Sequence, residues 1–269
     1  MKTNAANNFS LTGNQIKLFA CISMLADHIG LVYFKYTRWY LPLRYFGRTA
    51  FPLYLFLLTE GWMHTRSRAR YLRQLFLFAL ISEIPFNLVS RNVFFTLERQ
   101  NIFWTLLLVL FSVAVLDWGW KSALQKAADS GGMPWESLLA WFMVVGLAMA
   151  AQYCHTDYGA IGVFAGVALY YFRKNTNGQV KTEKGNRPAA LPEGETAFGM
   201  RIGNAVGYTA AVLALCFSVW WELFALIGLV PVFLYRGKRG GSSPWLKWAF
   251  YLFYPLHLLV LGLSYRFRV

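Results

Sequence analysis

Long apolar runs separated by short polar segments dominate the chain. At about 1.5 Å per residue, a helix of about 20 apolar residues crosses the roughly 30 Å hydrocarbon core of a bilayer. The pattern therefore predicts an all-α fold, a polytopic membrane helix bundle of about nine transmembrane helices. The predicted spans are 15–34, 41–63, 71–89, 101–118, 135–154, 158–173, 204–219, 222–236 and 246–264.

Two parts of this division depend on more than hydropathy. As one helix, 204–235 would be about 48 Å long, which exceeds a bilayer core, so we divide it at Trp220-Trp221-Glu222. The segment 175–199 is rich in Gly, Pro, Thr, Asn and Glu and has no apolar periodicity. We therefore predict a single integral membrane domain over 1–269 with a mobile cytoplasmic loop at about 175–199.

Charge sets the predicted orientation. The net charge of +14 raises nucleic acid as a partner, but the chain is 57% hydrophobic and its basic residues cluster between spans. Such clusters are typical of cytoplasmic loops, which predicts a multi-pass protein of a bacterial-type inner or plasma membrane with a cytoplasmic N-terminus and no nucleic-acid partner. The cluster of Arg66, Arg68, Arg70 and Arg73 fits this topology signal better than a phosphate site, although both roles are compatible.

Ionisable residues inside spans are the main functional signal, because burying them in a membrane is costly and they usually bind ligands, move protons or catalyse. Asp27 and His28 lie within the first span. From the inner ends of their spans, His28, Glu83 and His257 lie about 20, 18 and 17 Å deep, and Arg48 lies about 10 Å below the outer face. These four residues are expected in one layer. Its predicted border comprises Asn101, His155, Asp157 and Glu222.

Helical phase refines the expected contacts. Consecutive residues point about 100° apart, so Asp27 should pair with another helix through Arg44 or Arg48. His28 then needs a separate group to orient its ring, for which Glu83 or Asp157 is expected. A buried Asp–Arg pair can also serve only to register helices. Lys17 lies eleven residues before His28, on the same helical face and near the cytoplasm.

Seven short stretches resemble the TraX family of membrane proteins, which is linked to N-terminal acetylation of conjugative pilin. The stretches are LADHIG at 25–30, GRTAFP at 47–52, EG at 60–61, ISEIPF at 81–86, QNIFWT at 100–105, DYGAIGV at 157–163 and YPLH at 254–257. More remotely, Lys17 and His28 are similar to the basic-x10-His pattern of acyltransferase type 3 membrane enzymes. The Arg44-x-x-x-Arg48 spacing departs from that family's Arg-x-x-Arg.

The resemblance implies transfer of an acetyl or other acyl group from cytoplasmic acyl-CoA, with acetyl-CoA as the expected donor, to an extracytoplasmic acceptor, such as a pilin N-terminus or an envelope glycan. In this hypothesis His28 is the general base, and arginines stabilise the charge that develops on the reacting carbonyl. Catalysis is assigned to Asp27, His28 and Glu83. Substrate binding is assigned to Arg44, Arg48, Asn101, Asp157 and His257, and donor binding to Lys17 and Glu60.

Two other functions use the same residues. A transporter would bind protons or substrate with buried carboxylates and histidines near the midplane. A metal-dependent hydrolase would use His28, Glu83 and His257, but no local His-x-x-x-His spacing supports a metal site. Cys21, Cys154 and Cys216 have no disulfide or zinc-ligand pattern.

Overall fold

The chain is helical throughout the part that the structure, a computed structural model, describes: residues 10–129, 135–185, 193–235, 237–241 and 243–267. Within these ranges extended backbone pairs only in two isolated bridges. The helices are α1 (Gly13–Tyr33), α2 (Tyr40–Gly47), α3 (Ala50–His64), α4 (Arg68–Arg91), α5 (Ile102–Asp129), α6 (Trp135–Tyr153), α7 (Gly159–Gly185), α8 (Glu193–Cys216), the 3-10 helix Trp220–Gly228, α9 (Leu229–Phe233) and α10 (Pro244–Arg266).

Several of these helices are suited to a membrane. Among the described residues, α1, α4, α5, α6 and α10 are long and apolar enough to cross a bilayer by themselves. Their outer faces expose large apolar side chains, for example Ile22 on α1 and Phe142 on α6, which is the pattern expected of lipid contact. The prediction of an all-α, multi-pass membrane bundle is confirmed.

The second predicted span, 41–63, is not one helix. It is broken at Arg48 and Thr49, between α2 and α3. Pro52 has no N–H for the carbonyl of Arg48 four residues earlier, so the regular helical ladder cannot continue there. At the same break, the hydroxyls of Ser23 and Thr49 both donate to the carbonyl of Phe46, each at 2.8 Å. The break directs Arg48 into the interior.

The predicted division of 204–235 is confirmed, because α8 ends at Cys216 and the 3-10 helix begins at Trp220. The second half is shorter than a full span, however. Nine residues at about 2.0 Å and five at about 1.5 Å give roughly 25 Å, against a bilayer core of roughly 30 Å. This segment forms part of the wall of the bundle, where Trp220 and Val230 are exposed on the outside and Glu222 is buried on the inside.

The loop expected at 175–199 is largely helical. Helix α7 continues to Gly185 and α8 begins at Glu193, and residues 186–192 lie outside the described ranges. The prediction was wrong at both ends because it relied on apolar periodicity. Apolar periodicity reports only a helix that packs one face against a core, whereas Lys, Gln and Glu favour a helix without producing that pattern.

Helix α3 occupies the centre of the bundle. Neighbouring elements pack in the order α1, α2, 3-10 helix, α8, α7, α5, α4, α10 and again α1, which closes a ring. Helix α3 lies inside it and packs against α1, α5, α7, α8 and the 3-10 helix, while α6 packs on α5 and α7. Most residues of α3 are accordingly buried, including Leu53, Leu55 and Phe56, which have no exposed surface.

Candidate active site

A cavity of about 1110 Å³ lies inside the ring, lined by residues of α1, α3, α4 and α10. Because α1 and α10 run in the same direction, residues near their starts mark one end of the cavity. That end carries five basic residues, here called the basic mouth: Lys17, Arg66, Arg70, Arg239 and Lys247. The opposite end is lined by the loop between α6 and α7 and by the start of the 3-10 helix. Its polar residues include Gln152, His155, Asp157 and Ser218.

Two histidines meet across α1 and α10. Nδ1 of His28 lies 3.0 Å from Nε2 of His257, and Nδ1 of His257 lies 2.7 Å from the carbonyl oxygen of Phe253. The ring of His257 also stacks on Phe253, with centroids 4.9 Å apart. His28 lines the cavity and His257 lies behind it.

These contacts fix the proton positions of the neutral pair. A carbonyl oxygen can only accept, so Nδ1 of His257 carries a proton and its Nε2 has a free lone pair. Nδ1 of His28 must then donate to that lone pair, which leaves Nε2 of His28 unprotonated. The backbone of Met24, one turn earlier on α1, is a further acceptor for the ring proton. His28 therefore presents a basic nitrogen beside the cavity.

An ion cluster lies beside the histidine pair. The carboxylate of Asp27 accepts hydrogen bonds from Nη1 of Arg44 at 2.5 Å and from Nη2 of Arg48 at 2.8 Å. Arg48 also donates to Glu222 at 3.0 Å. The predicted pairing of Asp27 is confirmed with both arginines, and the two carboxylates balance the two guanidiniums. Asp27 can approach so closely because Gly47 has no side chain, since a Cβ there would lie 2.3 Å from the Cβ of Asp27.

Comparison with known proteins places the chain in a family. A family model described as TraX protein matches residues 12–186, which is more than half of the chain. The chain belongs to the TraX family. It is also 28% identical to the Probable fimbrial assembly protein FimC, serogroup H1, of Dichelobacter nodosus, over 95% of this chain and 96% of that protein. No solved structure matches the chain.

Glu83 does not orient His28 in this TraX-family protein. Its Oε1 accepts from the backbone N–H of Asn101 at 3.2 Å, from the side-chain amide of Asn101 at 2.6 Å and from the indole of Trp104 at 2.8 Å. The carbonyl of Ala79 also accepts from the Asn101 amide, at 2.7 Å. Glu83 and Asn101 thus join α4 to the start of α5 and do not line the cavity. Depth along a helix does not determine its rotation, and the rotation of α4 turns Glu83 towards α5.

Asp157 lies at the end of the cavity opposite the basic mouth, where it pairs with Arg99 at 2.5 Å. It is therefore engaged outside the histidine pair, and the expected orienter of His28 is replaced by His257. The next residue, Tyr158, was not selected from the sequence. Its ring stacks on Phe51 with centroids 3.7 Å apart, and its hydroxyl accepts from Arg48 at 3.5 Å. Tyr158 lines the cavity, and its hydroxyl retains its own proton to donate.

The two residues predicted to bind the donor line the same cavity in different settings. Lys17 lies over the ring of Phe250, at 5.6 Å from its centroid. Glu60 forms a buried ion pair with Arg173 and accepts from the hydroxyl of Tyr235 at 2.7 Å. The charge of the Glu60 carboxylate is thus balanced by Arg173, whereas Lys17 lies at the cavity without a balancing carboxylate among the described residues.

The described residues offer no metal-binding geometry. No group of three or more His, Cys, Asp or Glu side chains there is arranged to hold a metal ion. In particular, Glu83 binds Asn101 and Trp104 and does not join His28 and His257.

Proposed function

We propose that this protein is a membrane-integral acyltransferase that transfers an acetyl or related acyl group from acyl-CoA to an amine or hydroxyl across the membrane. The observation that carries the proposal is the contact between the rings of His28 and His257, which in the neutral pair leaves Nε2 of His28 unprotonated beside a cavity that extends from the basic mouth to the α6–α7 loop. A base positioned in this way is the main requirement for activating a weak nucleophile. The family link to pilin processing supports the same reaction class.

The proposed chemistry is direct acyl transfer. The acceptor nitrogen or oxygen attacks the thioester carbonyl carbon, and its proton moves to Nε2 of His28. The tetrahedral intermediate then collapses, the C–S bond breaks, and the imidazolium returns the proton to the leaving thiolate. His257 orients the ring throughout, because it accepts from Nδ1 of His28 while its own Nδ1 is fixed by Phe253.

Negative charge on the intermediate needs donors that are already positioned. Arg44 and Arg48 supply positive charge beside His28, and the Tyr158 hydroxyl supplies a neutral donor. Preorganised donors of this kind act strongly where water is excluded. Asp27 and Glu222 hold the guanidiniums in place, so these carboxylates are positioning residues.

Orientation and substrates follow from the charge pattern. With a cytoplasmic N-terminus in a bacterial inner membrane, the basic mouth faces the cytoplasm, where acyl-CoA is made, and the other end faces the acceptor. The similar protein from Dichelobacter nodosus carries a fimbrial assembly name. A pilin N-terminus is therefore the first acceptor to test, with an envelope glycan second.

The direct test is transfer from radiolabelled acetyl-CoA. Purified protein in nanodiscs is incubated with the donor and either a pilin-like peptide or an envelope extract. We expect label in the acceptor fraction with the parent and none with His28→Ala. Lack of transfer from acetyl-CoA and from longer acyl-CoA donors would overturn the proposal.

A transporter is the second candidate, because one cavity carries polar residues at both ends together with a buried ion cluster. It predicts substrate- or pH-dependent flux into proteoliposomes, lost in His28→Ala, with no acyl transfer by the parent. Measuring transfer and flux on the same preparation separates the two functions.

A further inference from the structure

Five cations converge on one end of the cavity, and we infer that this basic mouth binds the phosphate groups of the CoA donor. The inference rests on the proposed function and adds the site that holds the donor's nucleotide part. The members come from four separate segments: the start of α1, the α3–α4 junction, the segment before α10, and α10 itself. Those members are Lys17, Arg66, Arg70, Arg239 and Lys247.

These cations repel each other, and no carboxylate in the described part of the chain compensates them. The charges of Arg239 and Lys247 both act on the ammonium of Lys17. None of the five forms an ion pair with a carboxylate that the structure describes. Nearby basic residues outside the mouth behave differently, because Arg68 and Lys174 both pair with Asp117, at 2.8 and 2.7 Å. Uncompensated cations around a cavity favour a ligand with several negative charges.

The arginine cluster between α3 and α4 divides in a way that topology alone does not require. Arg66 and Arg70 line the cavity, Arg68 is bound to Asp117, and Arg73 is exposed away from it. A cytoplasmic retention signal needs only the charges, wherever they point. Two of the four therefore have a position that suits ligand binding.

The loop that carries Arg239 is held to the start of α1 by main-chain hydrogen bonds. The amide of Gly13 donates to the carbonyl of Lys238 at 2.9 Å, and that of Asn14 to the carbonyl of Arg239 at 3.0 Å. The side-chain amide of Asn14 donates to the carbonyl of Gly241 at 2.7 Å. The backbone at Arg239 is thereby fixed beside Lys17 before any ligand binds, which lowers the ordering cost of binding.

The separation between mouth and base suits a donor with distant charged and reactive ends. Eleven residues of α1 place Lys17 about 16 Å from His28 along the helix axis. CoA carries its phosphates at one end and its thiol at the end of a flexible pantetheine arm. Phosphates bound at the mouth leave this arm in the cavity, so the thioester can reach His28. A phospholipid headgroup offers similar phosphate chemistry and is the competing source.

The test measures binding and does not require turnover. Affinities of CoA, 3′-dephospho-CoA and pantetheine are measured for protein in zwitterionic nanodiscs, and again in discs containing phosphatidylglycerol. The variants are Arg70→Gln and Arg239→Gln, with Arg73→Gln and Lys238→Gln as matched controls, since neither control residue lines the cavity. The Kd of CoA should rise about tenfold or more in the first two variants and stay near parental in the controls. Pantetheine should bind equally to all.

Salt provides a second measurement on the unmodified protein. The Kd of CoA should rise with ionic strength, that of 3′-dephospho-CoA less steeply, and that of pantetheine hardly at all. Equal CoA affinity in Arg70→Gln and Arg73→Gln, or no salt dependence, would overturn the inference. If Arg70→Gln and Arg239→Gln weaken the retention of phosphatidylglycerol but leave the Kd of CoA unchanged, the inference is also overturned, in favour of a lipid site. CoA binding that behaves as expected in a protein without transfer activity would instead overturn only the proposed function.

Discussion

Replacing Asp27 by Asn should strongly destabilise the protein, because it removes the buried carboxylate that two partly buried guanidiniums share. The side chain of Asp27 is 10% exposed, and those of Arg48 and Glu222 are 14% and 2% exposed. Without Asp27 only Glu222 remains to balance Arg44 and Arg48. Removing one partner of a buried ion pair costs about 3–5 kcal/mol. At about 2 °C per kcal/mol, the lower end of the range for chains of comparable size, the melting temperature should fall by at least about 6 °C.

A double variant separates charge balance from the loss of a side chain. Asp27→Asn combined with Arg44→Gln leaves Arg48 paired with Glu222, so the cluster is neutral again and much of the lost stability should return. Asp157→Asn is the matched carboxylate control. Its partner Arg99 is 54% exposed, so that pair should contribute at most about 1 kcal/mol. Thermal unfolding in one detergent compares all variants. Equal melting temperatures for Asp27→Asn and Asp157→Asn, or additive losses in the double variant, would refute the reasoning.

Three further outcomes follow from the site. Gly47→Ala should lower acyl transfer at least about tenfold, because its Cβ would overlap Asp27, and parental activity would show that the approach is not needed. Tyr158→Phe should slow transfer on the order of a hundredfold without changing CoA affinity, whereas an unchanged rate would exclude the hydroxyl as a donor to the intermediate. In intact cells an impermeant thiol reagent should label a variant whose only cysteine is the exposed Cys154. It should not label a variant in which the native cysteines are removed and Arg73→Cys is introduced, and the reverse pattern would invert the orientation.

Helix positions and the main ion pairs could be predicted from the sequence because both follow from burial. Apolar runs must form helices in a membrane, and a buried carboxylate must find a cation, which correctly linked Asp27 to Arg44 and Arg48. The break before α3 had a visible signal in Pro52, whose missing N–H disturbs the carbonyl of Arg48. The helical structure of 175–185, in contrast, has no signal in the hydropathy pattern.

Contacts between helices could not be predicted to the same degree. Hydropathy gives the depth of a residue but not the rotation of one helix against another. It therefore predicts a common layer for His28, Glu83 and His257 but not which of the three side chains are in contact. The crossing of α1 and α10 selects His257 as the partner of His28, and α4 turns Glu83 to the start of α5. Tyr158 carried no separate signal, because aromatic residues near span ends usually mark the membrane interface.

The most direct test of the central claim is the rate of acyl transfer by His28→Ala, measured with saturating acyl-CoA and compared with His64→Ala. His64 is the last residue of α3, outside the His28–His257 pair, and its side chain is 68% exposed. The account predicts a loss of at least about a hundredfold in His28→Ala, the scale for removing a positioned base, with CoA affinity and melting temperature close to those of the parent. Transfer by a folded His28→Ala variant at a rate near that of His64→Ala would contradict it.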